Sequence, residues 1–97
     1  MKGGLQMSHA GHAVLSVFPL RNFHLLLEFE NGDYRVIDMR PMLWGEVFEP
    51  LKDQDFFKKV KVDPEIKTVV WPNDVDLCPD TLYSESKPVE FPSSLGV

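Results

Sequence analysis

A single cysteine, Cys78, stands in 97 residues. That leaves no internal disulfide framework, and one thiol alone makes no zinc site. The reducing cytoplasm is therefore the expected compartment. Long hydrophobic runs are missing too: Leu25-Leu26-Leu27 falls far short of the roughly 20 residues a membrane helix requires. No membrane partner is expected. The first thirteen residues lack the basic end and apolar stretch of a secretory signal. Positive charge is scarce, with ten Lys and Arg against fifteen Asp and Glu and a net charge of −5. Such a balance argues against nucleic acid as a partner, because phosphates demand a basic surface. The six glycines are scattered, so no phosphate-cradling loop exists. No serine sits in a G-x-S-x-G setting.

What is present is an ordinary globular composition, 43% hydrophobic and 26% charged. It fits one domain, with a core that is adequate but thin. Residues 1–13 carry Gly3, Gly4, Ser8 and Gly11 without an apolar period and read as a flexible lead-in. Residues 85–97 hold Pro88, Pro92 and three serines, which suits an extended or disordered tail. The folded body should span 14–84.

Asn31-Gly32, flanked by strand formers, is the best local signal and predicts a hairpin. With Asn31 and Gly32 as the central pair, Phe29 faces Tyr34, Leu27 faces Val36, and Leu25 faces Asp38. The opposite side pairs Glu28 with Arg35, Leu26 with Ile37, and His24 with Met39. The first side is the more apolar and should pack inward. Residues 13–18 read as a preceding strand, ended by Pro19 and joined through Arg21-Asn22, so that three strands form a meander. Arg40-Pro41-Met42-Leu43 suits one helical turn with Pro41 near its start. Asp38 should accept hydrogen bonds from the free N–H groups there. Asp53 should cap a short helix through Phe56 and Phe57. A second strand pair is expected at 60–62 and 67–71, and Asp80 could cap a last turn through Leu82 and Tyr83. The expected fold class is α+β: antiparallel hairpins of about five strands, with two or three short helices.

Chemistry-bearing residues are few. His9 and His12 have a spacing that can chelate a transition metal, but no third ligand lies nearby. Two incidental histidines on a solvated terminus are the simpler reading. The run Asn73-Asp74-Val75-Asp76-Leu77-Cys78-Pro79-Asp80 clusters carboxylates, yet lacks the central Gly and distant Glu of a calcium loop. These residues read as turn and cap formers. Cys78 would need a base such as His24 to act as a nucleophile, and an isolated cysteine is usually a small buried hydrophobe. Lys58, Lys59 and Lys61 read as a solvated basic face. Trp44 and Trp71 read as core or lid residues, given the area that Trp must hide.

Several strings together resemble one family. They are 26–33 (Leu-Leu-Glu-Phe-Glu-Asn-Gly-Asp), 38–43 (Asp-Met-Arg-Pro-Met-Leu) and 47–51 (Val-Phe-Glu-Pro-Leu). Phe56 through Val62-Asp63, Thr68-Val69-Val70-Trp71-Pro72-Asn73, Asp76-Leu77 and Leu82-Tyr83 follow in order. The chain resembles the bacterial domain-of-unknown-function family 2442 over about 14–84. Asp74 departs from the Gly expected after the Pro-Asn turn. The resemblance implies a compact α+β domain, in some members fused to a helical DNA-binding-type domain that is not expected here in cis. Members encoded beside another small protein imply a paired or regulatory role. The resemblance supplies no catalytic residues.

The expected function is a protein-interaction or regulatory module, working through a protein partner or a homodimer. The alternative is a small-ligand binder or enzyme using loop 71–80, with Trp71, Asn73, Asp74 and Asp76 as candidate residues. No cofactor, metal or catalytic residue is expected. A free sheet edge that recruits a partner strand would favour the first reading. A deep pocket joining Asp74 or Asp76 to Trp71 would favour the second.

Overall fold

The Asn31-Gly32 turn holds three residues, not two, and that single difference sets the inside and outside of the sheet. In the computed structural model, which describes residues 12–89, the Gly32 N–H donates to the Phe29 carbonyl at 2.9 Å. The Phe29 N–H donates to the Asp33 carbonyl, also at 2.9 Å. Glu30, Asn31 and Gly32 therefore form the loop, and only Gly32 takes a positive φ, of 92°. This is a type I turn followed by a left-handed residue, the common three-residue hairpin connection.

The strands it joins are β2 (His24–Phe29) and β3 (Tyr34–Asp38), preceded by β1 (Val14–Leu20). The pairs run His24 with Asp38, Leu25 with Ile37, Leu26 with Val36, Leu27 with Arg35 and Glu28 with Tyr34. The register expected from a two-residue turn is thus shifted by one. Leu25, Leu27 and Phe29 do point inward as expected, but Ile37 and Met39 accompany them in the core. Tyr34, Val36 and Asp38 lie on the outer face. Glu28 does not pair with Arg35; it accepts the Ser16 hydroxyl hydrogen bond at 2.9 Å.

β1 pairs with β2 along its whole length and continues through Pro19, which does not end it. Hydrogen-bonded pairs alternate along an antiparallel ladder. The Phe29–Asp33 and Met39–Phe23 bonds turn the odd residues of β2 towards β3 and the even ones towards β1. Pro19 lies opposite Leu25, so its missing N–H falls on the open side of β1, where a proline is tolerated.

After β3 come 3₁₀ turns at Arg40–Met42 and Glu46–Lys52, then α1 (Gln54–Phe57). Asp53 caps α1 as expected, accepting from the Asp55 N–H at 2.9 Å. Asp38 likewise accepts from the Arg40 N–H at 3.0 Å. The second strand pair is β4 (Lys61–Asp63) with β5 (Thr68–Val70), a separate two-stranded sheet. Helix α2 (Pro79–Glu85) has Cys78, not Asp80, at its cap position, and no side chain caps it. A final strand, β6 (Lys87–Pro88), pairs with β3, giving the order β1-β2-β3-β6. The architecture is α+β.

One face of the four-stranded sheet meets the core. Leu25, Leu27, Phe29, Ile37 and Met39 pack there against Leu51, Phe57, Val69, Trp71 and Leu82 from the helical segments and β5. A domain of two layers around one core results.

The turn after β5 repeats the first one with a different residue in the critical slot. Asp74 N–H donates to the Trp71 carbonyl, and Trp71 N–H donates to the Val75 carbonyl, both at 2.9 Å. Asp74 takes φ 68° where Gly32 takes 92°. Asp tolerates the left-handed region better than most residues, but its Cβ still strains there. Asp74→Gly is expected to stabilise the domain by about 0.5 kcal/mol, the relief exceeding the added unfolded-state entropy. A denaturant melt in which this variant is the weaker one would refute that balance.

Candidate interaction surface

The shifted register collects apolar side chains on the side of the sheet that faces away from the core. Phe18, Leu26 and Val36 lie side by side across β1, β2 and β3, with Lys87 of β6 beyond them. Leu20 and Tyr34 flank this row. Phe18 is 51% exposed, Leu20 41% and Tyr34 40%, while Leu26 and Val36 are half-buried. Isolated exposed apolar residues are normal on any surface, whereas adjacent ones make a candidate interaction surface. Polar groups rim it: Ser16 and Glu28 at one end, His24 and Asp38 at the other.

Asp38 anchors that second end. The Arg40 guanidinium forks onto it, Nε to Oδ1 at 3.0 Å and Nη2 to Oδ2 at 2.8 Å. His24 Nε2 lies 3.9 Å from Oδ2. The side-chain hydrogen bond from Arg40, reinforced by the Arg40 backbone N–H, lowers the Asp38 pKa from 3.8 to about 2. A carboxylate held below its unfolded value stabilises fully above that value, and the gain is lost as pH falls from about 4 through about 2. Asp38 is 35% exposed, so screening limits the contribution to about 1 kcal/mol. Asp38→Asn should lower stability by that amount near pH 7 and by almost nothing at about pH 2. Equal losses at both pH values would contradict the assignment.

Residues singled out in loop 71–80 have separate fates. Trp71 is 1% exposed, and its indole N–H donates to the Phe57 carbonyl at 3.0 Å. Asn73 accepts from the Val75 N–H at 3.4 Å, a bond internal to the turn. Asp74 and Asp76 are exposed, and Asp76 forms a backbone bridge to Val70. Trp71 is thus the hub under the loop while the polar three face outward. The surface concavities with walls at 19–23, 13–15, 85–89 and 40–44 take no wall from this loop.

The two tryptophans differ. Trp44, read as core or lid, is 73% exposed in the loop before Gly45. Nothing in its flanking residues distinguishes it from Trp71. Cys78 is exposed at the start of α2, and His24 Nδ1 lies 2.9 Å from the Asn22 carbonyl on the outer face. Cys78 is therefore no small buried hydrophobe.

His12 is not incidental. Its Nδ1 lies 2.9 Å from Asp80 Oδ1, and its ring stacks on Tyr83 with centroids 4.1 Å apart. His9 lies outside the described residues. Tyr83 also takes the Arg35 guanidinium over its ring at 4.3 Å, and its hydroxyl donates to Asp33. Sequence reading missed this cluster because its members stand far apart along the chain. Among the described residues, no group of three or more His, Cys, Asp or Glu is placed to hold a metal ion. Among those same residues, no helix is long and apolar enough to cross a membrane.

Fold and surface together define a small α+β domain with an apolar row on the outer face of its sheet. The chain belongs to the DUF2442 family, proteins of unknown function, whose model matches residues 14–88. No curated protein and no solved structure matches it.

Proposed function

We propose that the domain is a protein-interaction or regulatory module that docks a protein partner, or a second copy of itself, on the outer face of the β1-β2-β3-β6 sheet. The observation that carries this reading is the apolar row Phe18, Leu26 and Val36 with Leu20 beside it, on the sheet face turned away from the core. Docking is face-on. The sheet edges are poor templates for an added strand, since Pro19 sits on the open side of β1. The same holds at β6: the Val89 N–H donates to the Tyr34 carbonyl, so the alternating pattern turns Pro88 outward. Ligand binding at Asn73, Asp74 and Asp76 gains less support, because Trp71 is occupied in the core.

Phe18→Asp places a charge in the middle of the patch at a site already half in solvent, so folding should be nearly unaffected. Capture from the native host with wild-type protein as bait, alongside sedimentation of the free chain, is the test. The wild type should retain a defined protein or sediment as a dimer, and Phe18→Asp should lose it with an unchanged melting curve. A variant that binds or dimerises like the wild type would overturn the reading.

A further inference from the structure

At the end of β1, where Leu20 is shared with that face, a cavity of about 580 Å³ opens between the β1–β2 connection and α1. Its size lies within the range of small-molecule sites. Pro19, Leu20, Phe23 and Phe57 give it an apolar wall, and Arg21 and Lys58 bring two cations. No carboxylate lines it, although the chain as a whole carries a net charge of −5. The other cavities set carboxylates against their cations: Arg40 is paired with Asp38 and Lys52 with Glu49, while Lys67 shares its cavity with Glu30, and Lys87 with Asp38 and Glu85. Among the described residues, Arg21 and Lys58 form no ion pair, and no carboxylate shares their cavity.

The wall is also strained. Asn22 and Phe23 both take left-handed backbone, with φ 59° and 60°. A bulky residue there is an outlier, and such strain persists only where the surroundings hold it. Here the Met39 N–H donates to the Phe23 carbonyl at 2.8 Å, and the Phe23 ring packs edge-on against Phe57 at 5.2 Å. That backbone turns Phe23 into the cavity wall while Arg21 and Asn22 stay at its exposed mouth.

We infer that this cavity binds a small organic phosphate monoester, its hydrocarbon body against Phe23, Phe57 and Leu20 and its dianion facing Arg21 and Lys58. Two unmatched cations suit a group carrying nearly two negative charges, and an Arg fork suits phosphate oxygens. The Gln54 amide adds a neutral donor at the same wall. The inference is independent of the sheet-face reading and would survive its failure.

Phenyl phosphate titrated into the isotope-labelled full chain at low ionic strength is the test, with phenol, inorganic phosphate and benzoate as parallel arms. Saturable amide shifts confined to 19–24 and 54–58 are expected, with phenyl phosphate the tightest of the four. Arg21→Gln and Lys58→Gln should each weaken it roughly five- to tenfold, and more in combination. Both positions are exposed, and among the described residues neither is in an ion pair, so melting should be unchanged. No saturation, shifts elsewhere, or variants that bind like the wild type would overturn the inference. Tighter binding of benzoate or phenol would overturn the phosphate assignment.

Discussion

Replacing Trp71 by alanine is expected to lower the stability of the domain by about 3–5 kcal/mol, a large part of what a chain of this size possesses. The residue is 1% exposed and packs against Phe57, with ring centroids 5.8 Å apart. Deleting it removes the largest buried side chain and leaves a cavity that a thin core cannot close. It also takes the indole donor from the Phe57 carbonyl, which keeps only the longer bond from the Val60 N–H at 3.3 Å. A melting temperature lower by roughly 15–30 °C, or a chain that fails to fold at ambient temperature, is the anticipated result. Trp71→Phe should fall between the two, since it keeps most of the area and loses the donor. Loss of less than about 1 kcal/mol in Trp71→Ala would mean that the side chain does not hold the core together.

Arg35→Ala should cost about 2–3 kcal/mol, for a different reason. Arg35 Nε donates to Ser86 Oγ and Nη2 to the Ser86 carbonyl, both at 2.7 Å. Ser86 is 5% exposed, so its carbonyl would be left buried without a donor. The guanidinium also covers the Tyr83 ring, which His12 contacts by stacking. Lysine should not restore the loss, because a single ammonium cannot reproduce the planar fork. Hydrogen exchange separates this from general destabilisation. The Val89 amide, bonded to Tyr34, should lose protection well before the amides of β2. Uniform loss across the sheet would place the role of Arg35 elsewhere.

Much of the fold was legible because local chemistry decides it. Asn31-Gly32 marks a turn, and Asp38 and Asp53 announce the free N–H groups they satisfy. Turn length was not legible, since Gly32 takes the left-handed slot in either a two- or a three-residue loop. Val36 and Ile37 are near-equal hydrophobes, so β3 alone does not say which faces inward. The deciding signal was one step further along: a two-residue turn puts Asp38 inside and Met39 outside, and burial favours the reverse. Once the register shifts, Val36 takes the place of Ile37 beside Leu26 on the outer face, and Tyr34 and Asp38 join that face while Met39 leaves it for the core. Trp44 and Trp71 have similar neighbours, and only tertiary packing separates them. The cluster around Tyr83 depends on contacts spanning 50 and 68 residues, beyond the reach of any local pattern.

The prolines at the two rims of the sheet shape how this molecule can fail as well as how it can bind. A sticky face on an ordinary sheet invites runaway stacking, because molecules that meet face-to-face can then zip along their open backbones into fibrils. Here each rim interrupts that zipper with a missing N–H, at Pro19 and at Pro88. Encounters between copies are thereby confined to side-chain contact, which is reversible and limited in extent. Growth by strand pairing is thereby disfavoured at both rims, whatever the face of the sheet meets.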